Sequence, residues 1–346
     1  LNPTGNLPKI LVTGGAGFIG SHTVVSLVEA GFEPVIVDNF SNSERSVLDG
    51  LRGILGRDVT AYEADCNDIG AMEDIFRKES FTGVIHFAAF KAVGESVQQP
   101  LKYYRNNIDS LLLLLELMPR YNVPNLVFSS SCTVYGQPEQ LPVTEETPRL
   151  PAQSPYGNTK AICEDIIRDA VRAQLPVKSI ALRYFNPIGA HPSGLIGELP
   201  RGVPGNLVPF ITQTAAGLRQ QLTVFGSDYD TPDGTCVRDF IHVMDLAEAH
   251  VQALRKLNET NADAHYDVFN IGTGRGETVL DVINTFERET GVSVNYTIGP
   301  RRAGDVEKIY ADVAKATNEL GWEASRSLAD SLRDAWRWEQ KLRQEV

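Results

Sequence analysis

The sequence predicts an α/β protein: a doubly wound parallel sheet with a smaller mixed α/β substrate-binding domain. Three observations carry this. Short apolar runs alternate with helical patterns through the first half of the chain, as in a parallel sheet covered on both faces. The first run ends in a glycine-rich turn at residues 14–20, GGAGFIG, which opens a helix. After Arg183 the alternation gives way to Gly- and Pro-bearing stretches, 184–206 and 226–237, which read as long loops of a second lobe.

The elements follow in order. Lys9 to Thr13 reads as a buried parallel strand, and Ser21 to Ala30 as a helix stopped by Gly31. Pro34 to Val37 is a second strand and runs into Asp38. Val84 to Phe87 and Leu126 to Phe128 are further strands. Leu101 to Met118 is a long helix, ended or bent by Pro119. Pro155 to Ala173 is another, with proline at the start, where its missing N–H is harmless. Lys178 to Leu182 is a strand, Val243 to Leu257 a helix, and Val268 to Ile271 a strand able to return to the first sheet.

Composition bounds the function. At roughly 100–200 residues per domain, 346 residues suggest about two domains. Hydrophobic residues at 42% and charged residues at 22% supply a core and argue against disorder. The net charge, 32 − 44 = −12, lacks the basic surplus of a nucleic-acid binder. The apolar run Leu111 to Leu115 falls far short of the ~20 residues a membrane span needs. The leading LNPTGNLPK has no apolar signal core. Cys66, Cys132, Cys163 and Cys236 form no CxxC pair, and the histidines are scattered. No metal and no disulfide framework is expected, and a reducing cytoplasm is the simplest compartment.

Gly14, Gly17 and Gly20 have the spacing that lets backbone approach a pyrophosphate at a helix N-terminus. Asp38 ends the next strand, where an acid accepts bonds from adenosine ribose hydroxyls and repels a 2′-phosphate. That favours NAD over NADP, a preference slightly weakened by Arg45 nearby. A glycine turn beside a solvated aspartate is the bland alternative. The coincidence of strand, loop, helix and acid favours a Rossmann-type site. Residues 1–185 then form the NAD-binding domain, with 238–273 returning to it.

Tyr156 and Lys160 share a face of one helix. A lone YxxxK is often a surface pair, but this one lies beyond a strand ending in Ser129, Ser130 and Ser131. Strand ends of that kind face the cofactor crevice. Free tyrosine has a pKa of ~10, and lowering it by ~3 units takes about 4 kcal/mol. Lys160 and a positive nicotinamide would both favour phenolate. Tyr156 can then take a hydroxyl proton while hydride leaves the same carbon, with Ser131 orienting the oxygen. Ser131 reads equally as a strand-end cap.

These motifs, together with SSSCTVYG at 129–136 and SPYGNTK at 154–160, resemble the extended short-chain dehydrogenase/reductase family. VIHFAAFKAVGESVQQP at 84–100, RYFNPIGAHPSGLIGE at 183–198, DGTCVRDFIHVMDLAEAH at 233–250 and RRAGD at 301–305 resemble its UDP-glucose 4-epimerase group. The resemblance runs from about Lys9 to Trp338. It implies an NAD-dependent isomerase acting on UDP-glucose and UDP-galactose. C4 is oxidised, the 4-keto sugar rotates about its bond to the diphosphate, and hydride returns to the opposite face. NAD must then be retained.

The resemblance also implies roles. Tyr156 is the base and acid, Lys160 lowers its pKa and binds the nicotinamide ribose, and Ser131 assists proton transfer. Phe18, Ile19, Asp38 and Asn39 match positions around NAD, as do Asp65 and Cys66, which the resemblance places after a further strand between Val37 and Val84. So do Phe87, Ala88, Ala89 and Lys91, and also Asn106, Ser129 and Phe185. Phe87 and Ala88 read equally as strand packing. For the sugar nucleotide, Lys91, Ser131 and Tyr156 are joined by Asn186, Asn206 and Leu207. Arg238, Arg302 and Asp305 would meet the UDP, with Gly304 as the turn between the last two. Arg301 is a further candidate cation, although exposed arginine is ordinarily solvated. Thr223 and Phe225 would flank uracil, and Phe225 reads equally as core.

Ile309 matches a position against the sugar that is bulky or small among relatives; bulk excludes an N-acetyl group at C2. Ile309 is intermediate, so UDP-glucose and UDP-galactose are expected as the main pair, with N-acetylated sugars left open. Residues 186–237 and 274–346 would hold the UDP-sugar. A nucleotide-sugar dehydratase is the nearest rival, but it needs an acid pair beside the reactive serine, and Ser131-Cys132-Thr133 has none. A catalytically dead NAD-binding scaffold is the rival of another class. A homodimer through the helices around 101–118 and 155–173 is plausible, since Leu111 to Leu115 is apolar beyond one face. A helix buried within one chain would look the same.

Overall fold

A computed structural model describes residues 7–302 and 305–344. In the first half, strands β1 (Lys9–Thr13), β2 (Glu33–Asp38), β3 (Thr60–Glu63), β4 (Phe81–His86), β5 (Asn125–Ser129) and β6 (Lys178–Tyr184) alternate with helices. The helices are α1 (Phe18–Glu29), α2 (Ser46–Leu55), α3 (Ile69–Lys78), α4 (Val93–Gln98), α5 (Pro100–Arg120) and α6 (Pro155–Arg172). There follow β7 (Asn186–Ile188), α7 (Leu207–Ala215), β8 (Leu222–Phe225), β9 (Val237–Arg238), β10 (Phe240–His242), α8 (Val243–Glu259) and β11 (His265–Ile271). The chain ends with β12 (Glu277–Thr278), α9 (Val279–Thr290), β13 (Tyr296–Gly299), β14 (Lys308–Ile309) and α10 (Leu328–Gln344).

Seven strands form one sheet in the order β11-β6-β5-β4-β1-β2-β3, with every neighbouring pair parallel. Alternate side chains serve opposite faces, so Ile10, Val12 and Ile36 join the core beneath α1 and α8. Leu11, Val35 and Val37 join the core beneath α3, α5 and α6. Burial on both faces explains why these strands read as continuous apolar runs. A separate core of Ile188, Val208, Ile211, Phe286 and Leu332 gathers α7, α9 and α10 around smaller sheets.

The element ends differ from the sequence reading in ways that have causes. Helix α1 begins at Phe18, not Ser21, because Gly17 already serves as its N-cap. Helix α5 continues through Pro119 to Arg120, since proline in the last turn removes only one bond and Tyr121 N–H closes on Leu117 O at 3.1 Å. Phe87 lies just beyond β4 and still donates its N–H to Thr13 O at 3.0 Å. Leu111, Leu113, Leu114 and Leu115 are buried within the chain, and only Leu112 of that run is exposed. All four cysteines are free and buried. No described helix is long and apolar enough to cross a membrane.

Candidate active site

The crevice opens at the C-terminal ends of β1, β2, β4 and β5. Gly14 holds φ +67°, and a Cβ there would sit 2.9 Å from Ala88 N. At Gly20 a Cβ would come within 2.3 Å of Gly14 O, so the strand-to-helix turn closes only on glycine. Gly17 caps α1 without a side-chain bond, which leaves first-turn N–H groups of Phe18 and Ile19 for an anion. This backbone cradle fits a dinucleotide pyrophosphate.

Asp38 is buried at the end of β2. Its Oδ2 accepts from Ala16 N at 3.0 Å, and its Oδ1 accepts from Phe40 N and Ser43 Oγ at 2.9 and 3.0 Å. Asp65 accepts from Asn39 Nδ2 at 3.0 Å and from Asn67 N at 2.8 Å. Burial would raise the Asp65 pKa, but these bonds outweigh it and hold the carboxyl below its usual range. Asn67 also donates to Asn106 Oδ1 at 3.2 Å, so Asn39, Asp65 and Asn106 form one polar chain. Burial pushes the neighbouring Cys66 thiol up, which makes it inert. Phe87 packs its ring 4.7 Å from that of His250, so the strand-packing alternative holds for it. Ala88 N approaches Thr13 Oγ1 at 3.4 Å, and Phe90 N donates to Asn107 Oδ1 at 2.9 Å; this fixes the turn that carries Ala89 and Lys91.

The reactive group is built on two helix starts. Ser154 caps α6 by accepting from Gly157 N at 3.2 Å, with Pro155 following, which places Tyr156 in the first turn. Lys160, one turn on, donates Nζ to Ser129 O at 2.7 Å and lies 5.1 Å from the Phe128 ring centroid. Ser129 Oγ meets the Tyr184 hydroxyl at 2.6 Å, and Ser130 donates to Glu164 at 2.5 Å. Ser131 is indeed a cap: its Oγ accepts from Thr133 N at 3.2 Å and from Thr133 Oγ1 at 3.0 Å. With both lone pairs engaged, the Ser131 hydroxyl proton remains to be donated.

The electrostatics differ from the sequence expectation. Burial pushes the Tyr156 phenol well above its ordinary value, Tyr184 adds to this, and the Ser131 hydroxyl opposes it. Burial also lowers Lys160 to about 8, partly offset by Cys163 and Glu164. The chain's own groups therefore keep Tyr156 protonated. Lys160 directs its ammonium at the Ser129 carbonyl and stands 5.9 Å from the Tyr156 ring centroid. Burial likewise raises the Cys132 thiol to about 12, in keeping with a small buried residue rather than a nucleophile.

On the other wall, Asn206 caps α7 without a side-chain capping bond and instead donates Nδ2 to Glu198 Oε1 at 2.6 Å. Lys91 Nζ reaches the same oxygen at 3.3 Å. Leu207 opens α7, and Asn186 N donates to Asp239 O at 2.9 Å. Thr223 and Phe225 alternate with buried Leu222 and Val224 on the exposed face of β8, so Phe225 is not core. Arg302 stands over the Phe225 ring at 5.6 Å and donates Nη2 to Asp305 at 2.6 Å. Gly304 lies outside the described residues. Arg301 is not part of this group: it binds Asp228 at 2.7 Å and covers Tyr229. Arg238 bonds the Val237 carbonyl at 2.8 Å and pairs in register with Ile309, which is buried beside Cys132 and Phe185. Phe185 donates its N–H to Ile271 O at 3.1 Å.

Sequence reasoning gave Glu198, Thr133 and Asn67 no role, although Glu198 and Thr133 fall within the segments that carry the resemblance. Thr133 acts on Ser131 and Asn67 on Asp65 two residues away, whereas Glu198 meets Lys91, and Asn67 meets Asn106, only through folding.

A glycine cradle, an acid at the end of the second strand and a Ser–Tyr–Lys group on a parallel sheet, beside a lobe with arginines, define a short-chain dehydrogenase-type protein of the extended class. The family model described as GDP-mannose 4,6 dehydratase matches residues 11–335. The UDP-glucose 4-epimerase of Bacillus subtilis (strain 168) is 53% identical over 331 residues, covering 95% of this chain and 96% of that one. The human UDP-glucose 4-epimerase is 50% identical over 339 residues, covering 96% and 97%. The Bifidobacterium longum UDP-glucose 4-epimerase, solved in complex with NAD+ and UDP, superposes with a TM-score of 0.92 at 45% identity, covering 98% of this chain and all of that one. The chain belongs to the UDP-glucose 4-epimerase family.

Proposed function

We propose that the chain interconverts UDP-galactose and UDP-glucose by oxidation at C4, rotation of the 4-keto sugar and re-reduction. The observation that carries this is the Ser131–Tyr156–Lys160 group, set at the mouth of the dinucleotide cradle and facing a lobe built for a nucleoside diphosphate. Gly14, Gly17, Gly20, Phe18 and Ile19 would hold the pyrophosphate of NAD; Asp38 and Asn39 the adenosine ribose; Asp65 the adenine; Lys160 the nicotinamide ribose. Bound NAD supplies the hydride acceptor and, when oxidised, a positive charge that favours the Tyr156 phenolate.

The chain's own residues do the rest. Ser131, with both lone pairs occupied by Thr133, donates its proton to the sugar oxygen and orients it. Tyr156 takes the C4 hydroxyl proton and later returns it. Asn186, Asn206, Arg238 and Arg302 anchor the diphosphate, and Phe225 with Thr223 flanks the uracil, so the sugar can turn without leaving. The dehydratase reading is not favoured, because Ser131 is followed by Cys132 and Thr133, with no acid to protonate a leaving hydroxyl.

Residues 1–185 with 238–273 form the NAD domain in this reading, supported by the parallel pairing of β11 with β6. Residues 186–237 and 274–346 form the UDP-sugar domain. A homodimer through α5 and α6 is supported by Leu101 and Leu112, exposed by 81% and 41% on one face of α5. Four free cysteines fit a reducing cytoplasm. The test is direct: purified protein with UDP-galactose and no added NAD is followed by NMR. Formation of UDP-glucose without NADH accumulation supports the reading. No conversion, even with NAD added, overturns it.

A further inference from the structure

One loop of the second lobe reaches back across the crevice. Arg201 lies between Glu198 and Asn206 and grips the loop that follows β2. Its Nε donates to Glu44 Oε1 at 3.0 Å and its Nη1 to Ser41 O at 2.8 Å. Its Nη2 donates to Phe40 O at 3.1 Å and to Ser43 O at 2.8 Å. A guanidinium is a rigid fork, and here it collects three carbonyls and a carboxylate at once.

The gripped loop is the one that sets Asp38, through Phe40 N–H and the Ser43 hydroxyl. Phe40 holds φ 52°, a left-handed conformation that bulky residues rarely adopt. The gripping segment is itself anchored. Trp338 Nε1 donates to Glu198 O at 3.1 Å, and the Glu198 carboxylate holds both Lys91 and Asn206. Residues 198–206 thus run from the contact with α10, through Arg201 fixed on the loop after β2, to the asparagine expected at UDP.

We propose that Arg201 is a positioning residue that fastens the sugar-nucleotide loop over the adenosine end of the NAD site, so that occupancy of the UDP site slows NAD release. The inference rests on the epimerase reading above. In that reaction, cofactor lost between the two half-reactions would leave a 4-keto sugar that the chain cannot re-reduce.

Wild type, R201A and R201K are purified without added nucleotide, with R77A as a surface-arginine control. NAD per chain is counted, and NAD release into excess labelled NAD is timed with and without UDP. R201A is expected to release NAD about tenfold faster, several charge-assisted bonds being discounted for their exposure. R201K falls between, and R77A matches wild type. UDP slows release from wild type but not from R201A, a difference that a general loosening of the fold would not produce. Added NAD restores R201A turnover. Should R201A fail to fold, the same comparison is read on R201K. Equal release from wild type and the Arg201 variants, or an equal UDP effect in all, overturns the proposal and leaves the epimerase reading standing. Wild type that neither carries NAD nor epimerises removes both.

Discussion

Lys160 donates its ammonium to the backbone carbonyl of Ser129 at 2.7 Å. The bond ties α6 to the end of β5 and so fixes Tyr156 against Ser131. It also buries a cation, and that burial lowers Lys160 from 10.5 to about 8. Between those values the unfolded chain holds a proton that the folded chain has released. Stability from this group therefore rises with pH across that window, by about 3 kcal/mol at 1.36 kcal/mol per unit. Below about 8 the folded chain bears the full cost of the buried charge. Lys160→Met is expected to be inactive, and its stability relative to wild type should fall by about 3 kcal/mol on going from pH 8 to pH 10.5. Urea unfolding at both pH values measures this. A difference independent of pH would show that Lys160 is not a buried cation.

Tyr156→Phe removes the phenol expected to exchange the C4 proton and should lower kcat by roughly 10³-fold. Ser131→Ala should cost about 10²-fold by removing the donor to the reacting oxygen. Thr133→Val leaves Ser131 in place but frees a lone pair that the Thr133 hydroxyl now occupies. Its expected effect is about a tenfold fall in kcat with KM nearly unchanged, since orientation and not binding is lost. Steady-state kinetics on UDP-galactose separates the three. A Thr133→Val variant that changes only KM would place Thr133 in substrate binding instead.

Behind the reactive residues, Arg183 donates to both oxygens of Glu164 at 2.9 and 2.6 Å, with both residues buried. Ser130 donates to the same carboxylate, so the pair also braces the serine run. Removing Glu164 leaves the Arg183 guanidinium buried with no carboxylate partner among the described residues, whereas Glu164 also has Arg149 at 3.4 Å. Glu164→Ala should destabilise the fold by about 3–5 kcal/mol, and Glu164→Ala with Arg183→Met by clearly less. Thermal or urea unfolding of the single and double variants tests this, and equal losses in the two would refute it.

Six of the seven strands were legible because buried parallel strands write themselves as apolar runs; the edge strand Thr60–Glu63 has no buried residue and left no such run. Gly14, Gly20, Asp38, Tyr156 and Lys160 were legible because each sits at a fixed distance from a strand or helix end. Glu198 was not, because Lys91 meets it only across the crevice and Asn206 only through the turn of the 198–206 segment. The direction of the Tyr156 shift was also hidden. Sequence spacing shows that Lys160 shares its helix face but not that the ammonium turns to a carbonyl. Phe225 was ambiguous until the pairing of β8 with β13 left it on the exposed face.

Ile309 is expected to set which sugars fit. It is 5% exposed, faces the apolar group of Cys132, Phe185 and Ala311, and is held opposite Arg238 by the pairing of β14 with β9. A β-branched side chain fixed on a strand cannot swing aside as a flexible one would. With the sugar against this strand, an N-acetyl group at C2 would have to displace it or be refused. Wild type should turn over UDP-glucose well ahead of UDP-GlcNAc, and comparable activity on the two would refute the restriction. Ile309→Ala opens the wall and should raise the preference for UDP-GlcNAc about tenfold, the scale of pocket discrimination by a few methylenes. The same change leaves a cavity that costs about 2–5 kcal/mol, so it is measured well below its melting temperature. Ile309→Tyr should move specificity the other way. If neither variant shifts the ratio, the sugar does not lie against this strand, and the assignment of Arg238 to the diphosphate loses support as well.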